Sequence, residues 1–295
     1  MLSDEARNRA FAAAIEARVQ PGARVLDIGA GCGPWAILAA KRGASRVVAI
    51  ERNPAIVPVL RALVRDNGLT DKIEIVVGDS QKVAIDGQFD VIVSETIGSE
   101  AFDENIVAIL RDARARWLAP GGVLVPERLS LVAAPARLSY DGAAPTLGIG
   151  LPLHFDRLRS LFQHFPAPMP PNYRTDLLAA PATLIEVDLS TIDRDADLSQ
   201  LTATWHVDDA SLVEGISMWV AAELAPGVTV LSRDCPSWTR LFFPFDALPA
   251  ESGSLAWDLD NRPQSLMWRA RFGDVEHLSS PHLVRAWWQA QAKRG

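Results

Sequence analysis

A parallel α/β domain followed by a mostly antiparallel β domain is the fold class this chain predicts, and three observations predict it. Between residues 25 and 125, short β-branched runs alternate with helical stretches, the pattern of a parallel sheet covered on both faces. The first run leads into Gly29-Ala30-Gly31-Cys32-Gly33, with glycine at every second position between a strand and a helix. After Pro120-Gly121-Gly122 and Pro126 the pattern changes to short alternating runs separated by Pro, Gly and Asp turns. The domains are therefore placed at 1–125 and 126–295.

Taken in order, Ser3-Asp4-Glu5 caps a helix from Ala6 to Arg18, with acidic residues in its first turn. Arg7, Phe11 and Ile15 fall four apart and share one face. Strands are predicted over 25–28, 47–50, 73–77, 91–93 and 123–125, and helices over 34–42, 54–67 and 105–118. In such sheets a ligand lies beyond the carboxyl ends of the strands. The second domain is predicted to hold strands over 183–189, 217–221, 228–232, 238–243 and 265–272, as a β-barrel or sandwich. Residues 141–181 are Pro-rich and weakly periodic, with a short helix over 155–165, which suits a functional segment or an interaction arm. Ser280-Pro281 opens a last helix to about Lys293.

Apolar residues make up 48% of 295, enough for a globular chain of about two domains. A formal charge of −7 argues against a nucleic-acid partner and suits a cationic substrate. Two cysteines, Cys32 and Cys235, are too few for a disulfide framework or a zinc site, and the five histidines have no ligand spacing, so no metal is expected. Charges in residues 1–10 occupy the place of a signal peptide's apolar core. No run reaches the ~18 residues of a membrane span. A soluble cytoplasmic protein with no membrane association is the reading.

The glycine turn defines a ligand class. Gly29, Gly31 and Gly33 let a ligand approach the backbone and allow positive φ. A dinucleotide fingerprint wants G-x-G-x-x-G, whereas the spacing here is G-x-G-x-G, and Asp27 stands two positions before the first glycine. A phosphate would avoid that carboxylate, but S-adenosylmethionine carries an ammonium and a sulfonium and tolerates it. Glu51, at the end of the second strand, can accept both ribose hydroxyls. Asp79, Ser80 and Gln81 follow the third strand and can read the adenine amino group.

Residues 94–104, Ser94-Glu95-Thr96-Ile97-Gly98-Ser99-Glu100-Ala101-Phe102-Asp103-Glu104, follow the fourth strand with four carboxylates around a glycine. A bend at Gly98 folds the loop back so that Glu95 and Glu104 face one another, with Glu100 and Asp103 toward solvent. Two adjacent carboxylates repel unless a cation or a shared proton lies between them. A guanidinium fits, because its planar fork matches two carboxylates. Drawing its positive charge to one side leaves electron density on the opposite nitrogen, which can then attack a methyl sulfonium.

These motifs resemble the protein arginine N-methyltransferases over almost the whole chain. The resemblance rests on Met1-Leu2-Ser3-Asp4-Glu5-Ala6-Arg7, on Leu26 through Gly33, on Glu51, on residues 94–104 with glutamates nine apart, and on Trp117-Leu118-Ala119-Pro120-Gly121-Gly122 with Pro126-Glu127-Arg128. It implies that Arg7 holds the methionine carboxylate and that Glu51 binds ribose. It implies that Glu95 and Glu104 clamp a guanidinium of a protein, peptide or small guanidine substrate. A β-barrel and a homodimer made through an arm, for which 141–181 is the candidate, are also implied. The chain departs from the family at three places. It begins within the first motif, without the preceding aromatic segment; Pro236-Ser237-Trp238 stands for Thr-His-Trp, giving Asp4 a serine as its expected partner; and Thr96 replaces a bulky residue. A more open site is expected.

Overall fold

In the computed structural model, which describes residues 2–98, 100–140, 164–169, 173–238, 240–262 and 265–282, the N-terminal β-branched runs become five parallel strands. These are β1 (Arg24–Ile28), β2 (Arg46–Glu51), β3 (Ile73–Val77), β4 (Phe89–Ser94) and β5 (Leu118–Val125). Their order is β3-β2-β1-β4-β5, so the chain reverses its direction across the sheet between β1 and β4. Asp27 lies opposite Ala49 on one side and Val93 on the other. Such adjacency delivers the glycine turn, Glu51 and Glu95 side by side at the carboxyl edge.

Helices α1 (Glu5–Arg18), α2 (Pro34–Lys41), α3 (Val57–Asp66) and α4 (Ile106–Trp117) supply the covering layers. The predicted face of α1 is its buried face: Phe11 and Ile15 are fully enclosed and Arg7 is 2% exposed. Phe11 stacks on Trp35 of α2 at 4.8 Å between ring centroids and meets Trp238 edge-on at 6.5 Å. Burying such side chains stabilises the unit by about 1.5–3 kcal/mol apiece. Helix α3 starts three residues later than predicted, because the Asn53 side chain accepts from the Ala55 N–H at 3.0 Å and holds 54–56 in a turn.

Two units divide the chain. The first takes Met1–Ser130, Glu186–Ala196 and Val220–Trp238; the second takes Leu131–Ile185, Asp197–Trp219 and Thr239–Gly295. Backbone bonds tie the two late segments into the first unit: Glu127 N–H donates to Glu223 C=O at 2.8 Å, and Leu189 N–H to Glu127 C=O at 2.9 Å.

The later strands are β6 (Arg128–Tyr140), β7 (Ala167–Pro168), β8 (Tyr173–Leu177), β9 (Ala182–Asp188), β10 (Leu201–Val207), β11 (Gly215–Ala225), β12 (Val228–Leu231), β13 (Leu241–Pro244), β14 (Gly253–Asp260), β15 (Met267–Phe272) and β16 (Val275–Ser279). They build a four-stranded sheet, β10-β14-β15-β16, and a seven-stranded sheet whose path is β7-β13-β11-β6-β8, in the antiparallel manner of a barrel-like domain. In β14, Leu255, Trp257 and Leu259 alternate inward with period two. The strand predicted over 238–243 begins only at Leu241, because residues 232–238 form a 3-10 turn and a bend. Of the predicted arm, 141–163 and 170–172 lie outside the described residues. The last helix lies outside them beyond His282.

Candidate active site

A cavity of about 770 Å³ opens at the carboxyl edge of the parallel sheet, within the first unit. Nine of the eleven residues singled out from the sequence line it: Arg7, Gly29, Gly31, Glu51, Asp79, Ser80, Gln81, Glu95 and Glu104. Asp27 and Gly33 do not.

Asp27 is a correction to the ligand-contact reading. It is fully buried, and its Oδ2 accepts from the Ala36 N–H at 3.0 Å. The carboxylate thus sits beneath the turn and holds the first turn of α2, where the helix dipole favours negative charge. Burial pushes its pKa up to about 7, the Ala36 N–H opposes that rise, and Glu51 and Glu95 add to it. Gly33 is likewise structural. It takes φ 82 at the start of α2, and a Cβ there would meet Leu60 Cδ1 at 2.3 Å.

Gly31, at φ 55, has nothing within 4 Å of its missing Cβ, so the turn presents bare backbone to the cavity. Glu51 is 8% exposed, and its two oxygens accept from the Gly31 N–H at 2.7 Å and the Asn53 N–H at 2.6 Å. That pairing fixes the carboxylate against the turn. Asp79 accepts from the Gln81 N–H at 3.0 Å, and Arg116 donates to the Ser80 carbonyl, so 79–81 are also set from behind.

Between Glu95 and Glu104 the chain turns back: Gly98 pairs with Ala101, whose N–H donates to the Gly98 carbonyl at 3.1 Å. Ala101 and Asn105 adopt φ 63 and 64 to complete the reversal. Asp103 does not point only to solvent, as the sequence reading had it. Its Oδ1 accepts from the Glu100 N–H at 3.1 Å, it lines the cavity, and its carboxylate occupies the space of a Cβ at Gly98.

Glu95 is held from two sides. Arg7 Nη1 donates to Oε2 at 2.5 Å, and Trp238 Nε1 donates to Oε1 at 2.9 Å. Burial raises the Glu95 pKa above the usual carboxylate range; the Arg7 charge and both hydrogen bonds oppose the rise, and Glu104 adds to it. Glu104 stands exposed at the cavity wall.

Three residues were not assigned to the site from their own chemistry. Asp4 is 1% exposed; it caps α1 by accepting from the Arg7 N–H at 3.1 Å and accepts from both the N–H and hydroxyl of Ser237 at 2.9 and 2.5 Å. Burial pushes its pKa up, but these three hydrogen bonds and the Arg7 charge outweigh it, and its carboxyl lies below the usual range. Ser237 and Trp238 line the cavity, whereas Asp4 does not. Their only signal was the Pro236-Ser237-Trp238 motif. Cys235 beside them is buried, and burial with nearby carboxylates pushes its thiol up to about 12, which leaves it inert.

Fold and cavity together define a parallel α/β unit with an acidic cavity at the carboxyl edge of its sheet, and an antiparallel β unit beside it in the chain. A family model described as the TRM5/TYW2 methyltransferase domain matches residues 3–115. The chain is 28% identical to the arginine N(omega)-methyltransferase of Streptomyces achromogenes subsp. streptozoticus, over 86% of this chain and 72% of that one. It is 36% identical to the probable protein arginine N-methyltransferase 6 of Arabidopsis thaliana over 46% of this chain, but the match spans only 31% of that relative. The fold is that of the Trypanosoma brucei PRMT1 enzyme-prozyme heterotetrameric complex with AdoHcy, at a TM-score of 0.78 and 19% identity, covering 95% of this chain and 96% of that one. The arginine N-methyltransferase resemblance read from the sequence is therefore the one its relatives carry.

Proposed function

We propose that this chain transfers a methyl group from S-adenosylmethionine to an arginine guanidinium in a protein or peptide. The observation that carries the reading is that Glu95 and Glu104 line the same cavity as the glycine turn and Glu51. The cofactor fits the residues present: bare backbone at Gly31, a carboxylate at Glu51 to accept hydroxyls, and an acidic wall suited to a cationic ligand. When bound, S-adenosylmethionine supplies an electrophilic methyl on a sulfonium.

The chain's own residues then divide the work. Gly29 and Gly31 admit the nucleoside, Glu51 takes the ribose, residues 79–81 take the adenine edge, and Arg7 is the cation for the methionine carboxylate. Glu95 and Glu104 accept the N–H groups of a guanidinium and hold its charge on one side, so the opposite nitrogen keeps the density needed for attack. For this Glu95 must be ionised, and the hydrogen bonds from Arg7 and Trp238 favour that form. The test is mass spectrometry of a panel of arginine peptides and free arginine after incubation with the cofactor. No gain of methyl mass on any of them would sink the reading, and tight cofactor binding without turnover would mark a binding scaffold instead.

Free arginine or another small guanidine is the second reading, favoured by the name of the Streptomyces relative, an arginine N(omega)-methyltransferase. Competition by free arginine against a peptide substrate separates the two. We place the protein in the cytoplasm as a homodimer, without nucleic-acid or membrane partners. Among the described residues no helix is long and apolar enough to cross a membrane. Light scattering that gave a monomer at working concentration would remove the dimer.

A further inference from the structure

At the end of β4 stands a hydroxyl whose proton is already committed. Ser94 is fully buried, and its Oγ donates to the Ile28 carbonyl, at the end of β1, at 3.1 Å. Thr96 Oγ1 lies 3.1 Å from Ser94 Oγ. A hydroxyl has one proton to give and a carbonyl can only accept. The Ser94 proton therefore goes to Ile28, and the proton between the two hydroxyls comes from Thr96. That leaves Thr96 Oγ1 with lone pairs alone, an acceptor and not a donor. Thr96 is half-buried and lines the cavity. Its side chain leans on the glycine turn, since a Cβ on Gly29 would meet Thr96 Cγ2 at 2.9 Å. The cavity thus holds, against the turn, an uncharged oxygen that can only receive a hydrogen bond.

Strand order decides which ligand group meets this oxygen. The sheet runs β3-β2-β1-β4. Residues 79–81 follow β3, Glu51 ends β2, the glycine turn follows β1, and Thr96 follows β4. A cofactor whose adenine and ribose take the first two places brings its methionine end to the β4 side, where Arg7 also lines the cavity. Its ribose hydroxyls then have Glu51 and its adenine amino group has residues 79–81, so the ammonium is the donor left without an acceptor. We infer that Thr96 is a cofactor-binding residue whose Oγ1 accepts a hydrogen bond from the methionine ammonium of S-adenosylmethionine. The inference rests on the cofactor part of the reading above and needs no methyl acceptor. With Arg7 on the carboxylate and Thr96 on the ammonium, the methionine end is held at two points, which limits its rotation about the sulfonium.

The test measures, by titration calorimetry, the Kd of S-adenosylhomocysteine, which keeps the ammonium, and of its deaminated analogue, which lacks it. Thr96→Val, similar in shape but without the hydroxyl, is expected to weaken S-adenosylhomocysteine about 10-fold, the scale of one hydrogen bond to a charged group. The analogue should bind that variant as it binds wild type. Thr96→Ser, which keeps the hydroxyl, restores most of the affinity. Ser94→Ala removes the acceptor for the Thr96 proton and lets that hydroxyl turn its proton toward the ligand, so it too should weaken S-adenosylhomocysteine selectively. Equal losses for both ligands in Thr96→Val, or no loss for either, would overturn the inference. Should Thr96→Val fail to fold, Ser94→Ala decides: a loss confined to S-adenosylhomocysteine supports the contact, and unchanged or equally weakened binding of both ligands removes it. If wild type binds S-adenosylhomocysteine but methylates no guanidine, the functional reading fails while these affinities still decide the role of Thr96. If wild type binds neither ligand, both fall.

Discussion

Glu95 and Glu104 differ more than their pairing in the sequence suggests. Glu95 is enclosed and gripped by Arg7 and Trp238, whereas Glu104 is exposed at the rim. One is fixed by the fold, and on the proposed function the other is the one left to meet the substrate. Glu104→Gln should therefore leave cofactor affinity nearly intact while turnover falls ~10²-fold, the scale of losing one preorganised charge. Titration calorimetry and steady-state rates check this, and equal loss of both would put the residue elsewhere. The raised pKa of Glu95 gives kcat/KM an acid limb above that of an ordinary glutamate, since activity is lost as pH falls and Glu95 takes up its proton. Trp238→Phe removes a hydrogen bond to the ionised form, so that limb should move to higher pH.

The β1–α2 turn is the element on which the site depends. Each glycine there serves a different end: Gly31 faces open space, Gly29 would press a Cβ on Thr96 Cγ2 at 2.9 Å, and Gly33 abuts Leu60. The two-residue spacing marked all three as ligand contacts, but only packing separates those facing the cavity from the one facing α3. Gly33→Ala should thus destabilise the fold by about 1–3 kcal/mol from its left-handed φ alone, with the Leu60 contact adding to it. Urea unfolding measures that loss, and an unchanged midpoint would contradict it. By contrast, the loop over 94–104 was legible in advance because a glycine inside an acidic run leaves few other places to bend. The 232–238 bend was not legible, because Trp238 and the apolar residues after it read as a continuous strand when only local pattern is weighed.

Over the whole molecule, the buried carboxyl of Asp27 links stability to pH. Its pKa is about 7 in the folded state against 3.8 ordinarily, so the folded protein keeps a proton that the unfolded chain releases. The contribution of Asp27 is therefore full below about pH 4 and is lost as pH rises to about 7, above which it is flat. Asp27→Asn, which keeps an acceptor for the Ala36 N–H, should flatten denaturant midpoints across that window. Cofactor at 100 times its Kd should stabilise the protein by about 2.7 kcal/mol, seen as a raised melting temperature.

By itself the sequence determined the order of strands and helices in the first unit, the change to antiparallel grammar after residue 125, and the carboxylates and glycines that line one cavity. Those features are local: hydrophobic period, glycine spacing and charge density are written in neighbouring residues. Only the tertiary structure decided that Asp27 lies beneath the turn and that residues 220–238 return to the first unit. That return brings Ser237 to Asp4 across 233 positions and Trp238 to Glu95 across 143. Contacts between residues so far apart in the chain are set by how whole segments pack, and no local periodicity encodes them.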